Sequence, residues 1–482
     1  MPVATNFEAP FVATSIDPSG ATETTARPKR VMLAGYRLAT GALAEGVLYQ
    51  VTSDADGVTN SGRGSMLAAM CKAFRDVNPL TELWALGIDN PGGGVAAEDT
   101  LTLTGTATET APLVIAIDGE EVSISVVSGD AAAAVATDVT AAITALPDLI
   151  VTASDTTGVV TFVNRHLAVM DTRFRVVSVP AGLTAVFASS VSSSGVAAST
   201  VVTDALSNKN WDWIVFGLTG NLGSFIPEIA TALESRWGEL AEYDDMAMFA
   251  TAGYSFATLS TVTAAPALNS PYITYVDPES PSTETAAHVT AAQVAAADMA
   301  KALENTPRQW TVLPDVQKGY LDNSFTSAER SLLIGAGATT LKLDASDRVV
   351  IDRLVTTYQQ NSAGSPDKAY QNVATMKTLR YARWDWRRRI TTKYPDYLLG
   401  DDGATAQPGV KIMTPNTMRA EAVSWFDDMA ALGLFDSSSK DAFIEAITVW
   451  RPNGTTVRLD AITQPTFLSP FLQSNHTIAF KL

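Results

Sequence analysis

A strand–helix–strand rhythm begins near Arg30, breaks at Pro91-Gly92-Gly93-Gly94 and resumes at Trp213. Val31 to Ala34 reads as a short strand, and Ser65 to Phe74 places Leu67, Met70, Cys71 and Phe74 at helical spacing. Leu83 to Leu86 reads as a second strand. Two strands joined through a helix form a parallel pair with a crossover. After the glycines the composition shifts to Thr, Val, Ala, Ser and Gly, and no Lys occurs between Lys72 and Lys209. Thr100 to Thr104, Leu113 to Asp118, Val122 to Val126 and Val159 to Val163 read as strands bounded by turns, with an Ala-rich helix from about Ala131 to Leu146. The rhythm then returns with a strand at Trp213 to Gly217, a helix at Ile226 to Leu240 and a strand at Met246 to Thr251. An α/β core domain split by an insertion follows from this order.

The fold class expected is α/β and α+β multidomain. The discontinuous α/β core domain takes residues 29–92 and 205–365, and an inserted β-rich domain takes 93–204, closed by the Ser-rich run Ser189 to Gly195. Thr326 and Glu329 have capping-box spacing, and a hairpin is expected across Asp344 to Asp347. A C-terminal α+β domain covers 366–462, with a helix at Asn416 to Leu432 and a hairpin around Asn453-Gly454. Residues 1–28 and 463–482 read as extended N- and C-terminal arms. Phe11, Val12 and Ile16 form the apolar stretch of the first arm; Ile478, Phe480 and Leu482 form one face of a strand in the second.

Length and composition narrow the function. At 482 residues, several domains are the expected arrangement, and 46% hydrophobic against 17% charged residues is a globular balance. A net charge of −18 repels phosphate backbones, so no nucleic-acid partner is expected. Cys71 is the single cysteine, which rules out an intramolecular disulfide. Glu8 and Asp17 among Pro2, Pro10 and Pro18 do not make a signal peptide, and no apolar run reaches the ~18 residues of a span. Neither export by a standard signal nor direct membrane insertion is expected.

Catalytic and binding motifs fail on spacing. His166, His288 and His476 lie far apart, without zinc-ligand or H-E-x-x-H spacing, and no G-x-S-x-G elbow is present. Gly217, Gly220 and Gly223 follow a strand but match neither the dinucleotide fingerprint nor a P-loop, so an ordinary strand-to-helix turn is the reading. Gly62-Arg63-Gly64-Ser65 reads as the start of a helix. Asp54, Asp56 and Gly57 begin like a calcium loop, yet position 65 is Ser where the closing Glu belongs; a solvated turn is expected. No catalytic residue, cofactor or metal is assigned.

One segment carries a charge signal. Between Lys368 and Lys393 stand eight basic residues against the single acid Asp385. On a helix, Lys377, Arg380, Arg383, Arg387 and Arg388 share one arc, with Leu379, Trp386 and Ile390 on another. The cationic ridge is either a solvated face paired with the chain's own acids or a contact with an acidic partner.

The sequence resembles the sheath proteins of contractile phage tails, in particular those of Mu-like phages. Three stretches carry the resemblance: Gly62 to Arg75 with Asn78-Pro79 and Thr81 to Leu86; Val350 to Tyr358 with Asp367; and the Arg-rich helix with Tyr394-Pro395, Thr414-Pro415, Arg419-Ala420-Glu421 and the closing Ile478 to Leu482. Residues 452–459 depart from the pattern by a longer turn. The resemblance implies a virion tail protein, assembled in the host cytoplasm, that forms sixfold rings of itself stacked helically around a tail tube. Tail tube, baseplate and tail terminator proteins are its implied partners. It would be built in a metastable extended state and contract by rigid-body rearrangement, driving the tube through the host envelope without catalysis.

On this reading the insertion is expected on the outer surface as a unit that few core contacts cross, so that deleting residues 95–200 would leave tubes intact. The ridge of Lys377, Arg380, Arg383, Arg387 and Arg388 is expected to face the tube. The arms are expected to add strands to neighbouring subunits, the alternative being that the last strand completes its own domain's sheet. A nucleotide-dependent α/β enzyme and a β-rich cell-surface adhesin are the rival classes.

Overall fold

The computed structural model describes residues 27–469, apart from 196–197, 207, 219–224, 242, 251–254, 264–267, 278–282, 302–303, 320–323, 405–406, 408 and 453–456. It has a mixed α/β, multi-sheet fold. The arm residues Phe11, Val12, Ile16, Ile478, Phe480 and Leu482, together with Gly220, Gly223 and His476, lie outside the described residues.

Among the described residues the largest sheet has eight strands. From edge to edge they are Val349–Arg353, Ala338–Leu343, Ile273–Asp277, Ala247–Ala250, Trp213–Phe216, Arg30–Tyr36, Glu82–Ile88 and Leu48–Val51. The interior pairings are parallel and both edge pairings antiparallel. Runs such as Trp-Ile-Val-Phe at 213–216 are buried at every position, as a parallel strand covered on both faces requires. Strands from either side of residues 93–204 are neighbours here: Leu33 lies between Val215 on one flank and Ala85 on the other. The edge strand Leu48–Val51 was not expected; with four residues it is too short to show a period.

Two helices cover the middle of this sheet. Met66–Val77 starts at the cap Ser65, whose hydroxyl accepts from the Ala68 amide at 3.2 Å. It packs on Ala287–Met299, a helix in which twelve residues are buried because alanines let the backbones approach. Gly217 serves this packing: a Cβ there would meet the sulfurs of Met70 and Met66 at 2.5 and 2.7 Å. Asp54 and Asp56 form the first turn of the helix Asp54–Ser61 instead of a solvated turn. The Asp56 carboxylate accepts from the Thr52 amide and hydroxyl and the Ser53 amide at 2.6–2.8 Å. Thr326 and Glu329 form the expected capping box.

Residues 98–191 build a four-stranded sheet and a three-stranded sheet around the helix Ala132–Thr144. The strands Val151–Thr156, Phe174–Ser178 and Leu183–Val191 were not anticipated, and the last takes up the start of the Ser-rich run. Contrary to expectation, many contacts cross to the core. One hydrophobic cluster runs continuously from the core sheet into the insertion. The Met66 amide donates to His166 Nε2 at 2.9 Å, and Arg175 donates to Glu284 at 3.0 Å. Arg173 donates to the Thr283 carbonyl, and Asp171 accepts from the Ala287 amide at 3.1 Å. Gly64 permits this docking, since it has φ +77° and a Cβ there would strike the Leu149 carbonyl at 2.8 Å. Excising residues 95–200 would therefore bare a buried surface.

The C-terminal region holds the helices Val373–Lys393, Pro415–Ala431 and Lys440–Ala446 and a second hydrophobic cluster centred on Trp425, Phe426, Phe435 and Phe443. Thr448–Trp450 pairs antiparallel with Asp460–Ile462, a sheet of two strands among the described residues. The start of the expected C-terminal arm belongs to this domain: Phe467 packs on Phe435, and the Asp436 amide donates to the Thr466 carbonyl at 2.9 Å.

Candidate functional site at the basic helix

The helix Val373–Lys393 forms because 21 residues pass without Pro or Gly, after Asn372, whose side chain caps the Ala374 amide at 3.0 Å. Pro395 stops it. Val373 and Met376 join the core cluster and Ala382 the C-terminal cluster, so the helix is a beam between the two.

That position overturns the reading of an exposed ridge. Lys377 and Arg380 have side chains 2% and 1% exposed, and both point into the core, whereas Leu379, Trp386 and Ile390 are half-buried. Lys377 donates to Asp298, a buried carboxylate that also accepts from Trp213 Nε1 at 2.5 Å and pairs with Arg308. Burial pushes the Asp298 carboxyl up, but Lys377 and Arg308 outweigh it and hold it below the usual carboxylate range. Burial also pulls the Lys377 ammonium down to about 8, with Arg308 and Arg380 adding to the pull against Asp298 and Glu304. Arg380 donates to the Asp212 carboxylate and, at 3.1 Å, to the Asp212 carbonyl. Asp212 in turn accepts from Arg27 at 2.6 Å and from the Arg30 amide at 2.8 Å. The root of the N-terminal arm and the basic helix thus share one buried carboxylate.

Arg383 and Arg387 are half-buried and serve the chain itself. Arg383 donates to the carbonyls of Trp237, Gly238 and Ala241 at 2.6–2.8 Å, and Arg387 to that of Ala241. These carbonyls follow the helix Phe225–Arg236, where helix ends leave acceptors without partners. Both guanidinium groups also face Asp244, at 3.2 and 3.9 Å. Arg388 is the most exposed of the five and pairs with Asp385 on its own helix at 2.7 Å. Arg389 and Lys393 reach Glu421 on Pro415–Ala431 at 2.9 and 2.8 Å.

Asp212, Asp244 and Asp298 were missed by sequence reasoning. Their signal was present: Asp212 stands between Trp211 and Trp213, and Asp298 ends an alanine-rich run, places where an isolated acid needs a buried partner.

Elsewhere, a cleft of about 420 Å³ opens between Glu121 and Arg175 of the insertion and Glu284, Gln317 and Lys318 of the core. Its cations are paired, Arg175 with Glu284 and Lys318 with Asp347. Among the described residues no group of three His, Cys, Asp or Glu side chains could hold a metal, and no helix is long and apolar enough to cross a membrane.

Buried ion pairs thus brace a mixed α/β core to a C-terminal helical domain. The chain is 27% identical over 460 residues, 94% of its length and 93% of the relative's, to the Mu-like prophage FluMu tail sheath protein of Haemophilus influenzae. The resemblance to the tail sheath proteins of Mu-like phages is borne out across the chain. No family model matches. Among solved structures, the sheath tail protein of Desulfitobacterium hafniense is 12% identical, with 95% of this chain and 100% of that chain covered and a TM-score of 0.47. For the sheath tail protein of Listeria innocua the figures are 11%, 92%, 96% and 0.47. For the anti-feeding prophage helical sheath in its contracted state they are 11%, 99%, 99% and 0.44.

Proposed function

We propose that this chain is the structural subunit of a contractile phage tail sheath. The observation that carries the reading is the end-to-end match to a tail sheath protein, 94% of one chain against 93% of the other. Copies polymerise around a tail tube in a metastable extended state and contract by rigid-body rearrangement, with the free energy drawn from subunit contacts instead of catalysis. Baseplate and terminator proteins bound the polymer, which is assembled in the host cytoplasm and becomes part of the virion tail.

The geometry supports a rigid-body subunit. The basic helix ties the core to the C-terminal domain through buried charges whose separation would leave each uncompensated, at about 3–5 kcal/mol for a broken pair. Motion on contraction is therefore expected between subunits and not between these two domains of one subunit. A two-stranded hairpin is marginal alone, and Thr448–Trp450 with Asp460–Ile462, which pair only with each other among the described residues, could take an added strand. Tube contact, with Lys377 and Arg380 buried and Arg383 and Arg387 engaged, falls to Arg388 and its surroundings. Negative-stain images of the purified chain should show tubes or stacked rings; a chain that stays dispersed at high concentration and with tube protein counts against the reading.

A further inference from the structure

Arg353 ends the edge strand Val349–Arg353 without a partner of its own. Among the described residues every other arginine pairs with a carboxylate or donates to a backbone carbonyl. Arg353 is half-buried, and its Nε is shut off from water with no acceptor. The adjacent Asp352 is taken on the opposite face of the strand by Arg330 and Lys342, both at 3.1 Å. A guanidinium withdrawn from water without an anion is costly, and burial, with no acid opposing it, pulls its pKa below the usual arginine value. Arg353 lines a hollow of about 10 Å³ with Pro307, Gln309 and Asn372, room for one oxygen-sized group. Arg308, which also borders it, is committed to Asp298. Beside the hollow, Trp310 stands 59% exposed in the left-handed region, at φ +59°. Its amide donates to the Ile351 carbonyl at 2.6 Å, which fixes it along the same edge strand. A strained, exposed tryptophan next to an unpaired arginine joins the two side-chain types most enriched where proteins bind one another.

The chemistry of the hollow selects its occupant. A guanidinium fork matches a carboxylate, and a space this small admits the tip of an acidic side chain and not a sugar or a nucleotide. With 51 acids against 33 basic residues, surplus carboxylates are what each copy of this chain offers a neighbour. Asp396, Asp441 and Glu445 of the C-terminal domain are exposed and have no partner among the described residues. An arginine on the core sheet and a carboxylate in another domain meet as unlike surfaces. Contacts of that kind join copies head to tail, into rings and helical tubes.

We propose that Arg353, with Trp310 beside it, receives an acidic side chain of a neighbouring copy. The contact rests on the sheath reading and deepens it by naming one residue of the subunit interface. Because Arg353 has no partner in its own chain, Arg353→Ala should leave the melting temperature of the dispersed subunit within a few degrees of wild type. In sedimentation the same variant should need more than about tenfold higher concentration to associate. Arg353→Lys places an amine at the hollow, and a carbodiimide should join it to an acid of another copy. Mass spectrometry of mixed isotope-labelled and unlabelled chains would then show a peptide pair spanning the two. Association of Arg353→Ala at wild-type concentration overturns the contact and leaves the sheath reading standing, whereas a wild type that never associates, even with tube protein, removes both. A clear drop in the melting temperature of Arg353→Ala, or a cross-link confined to one chain, would assign Arg353 to its own fold and overturn the proposal. So would acetate or inorganic phosphate that raises the melting temperature of wild type and not of Arg353→Ala, since the occupant would then be a free anion.

Discussion

Asp298 and His166 show how single residues hold this molecule together. Asp298 pairs with both Lys377 and Arg308 in the interior, so Asp298→Asn leaves two cations without the carboxylate they share. Urea unfolding should show a loss of roughly 3–5 kcal/mol, and adding Lys377→Met should restore part of it. His166 is buried where the insertion meets the core. Its Nε2 accepts from Met66, so Nδ1 carries the proton toward Asn90 Oδ1 at 3.2 Å. Burial depresses the folded-state value to about 3, from an ordinary 6.5, so the stability this group contributes is complete above 6.5 and is lost as pH falls below it. At pH 5 that loss is about 2 kcal/mol. His166→Gln, which can still accept from Met66, should remove about that much from the stability difference between pH 7 and pH 5 measured by urea unfolding.

At the scale of elements, the basic helix acts through its partners on both sides. Charge reversal at Arg383 and Arg387 would put carboxylates against the carbonyls of Trp237, Gly238 and Ala241 and against Asp244. The double reversal should therefore lower stability by more than about 2 kcal/mol, visible in a thermal melt before any assembly assay. An unchanged melt would mean that these arginines are free for another surface. The same helix illustrates why an amphipathic pattern can mislead. A helix packed on two sides has no single inward face, and its half-buried Trp386 touches Trp425 while its Lys377 and Arg380 point into the core.

For the whole molecule, the question is which segments join subunits and which fold with their own domain. Phe467 seats on Phe435, so the useful truncation falls after Ser469 and not after Pro465. Truncation there should leave the melting temperature of the subunit within a few degrees of the full chain while abolishing tubes in negative stain. A large drop in melting temperature would assign the last strand to its own domain, and normal tubes would remove the arm from assembly. The insertion adds a second consideration, because its buried surface against the core makes it part of the subunit's stability as well as of its exterior.

Local pattern determined much here. The strand at Val31 to Ala34, the helix capped by Ser65, the box at Thr326 and Glu329 and the hairpin across Asp344 to Asp347 depend on neighbours within a few residues, and each stands close to its expected place. The resemblance to tail sheath proteins was legible too, because motif order along a chain is a property of sequence. Only the tertiary structure decided where Lys377 and Arg380 point. Their acids Asp298 and Asp212 are 79 and 168 residues away in sequence, and whether a cation is solvated or buried depends on which distant carboxylate the fold brings to it. The seam between insertion and core was hidden for the same reason: His166 meets Met66 across 100 residues, and nothing local to either records the contact.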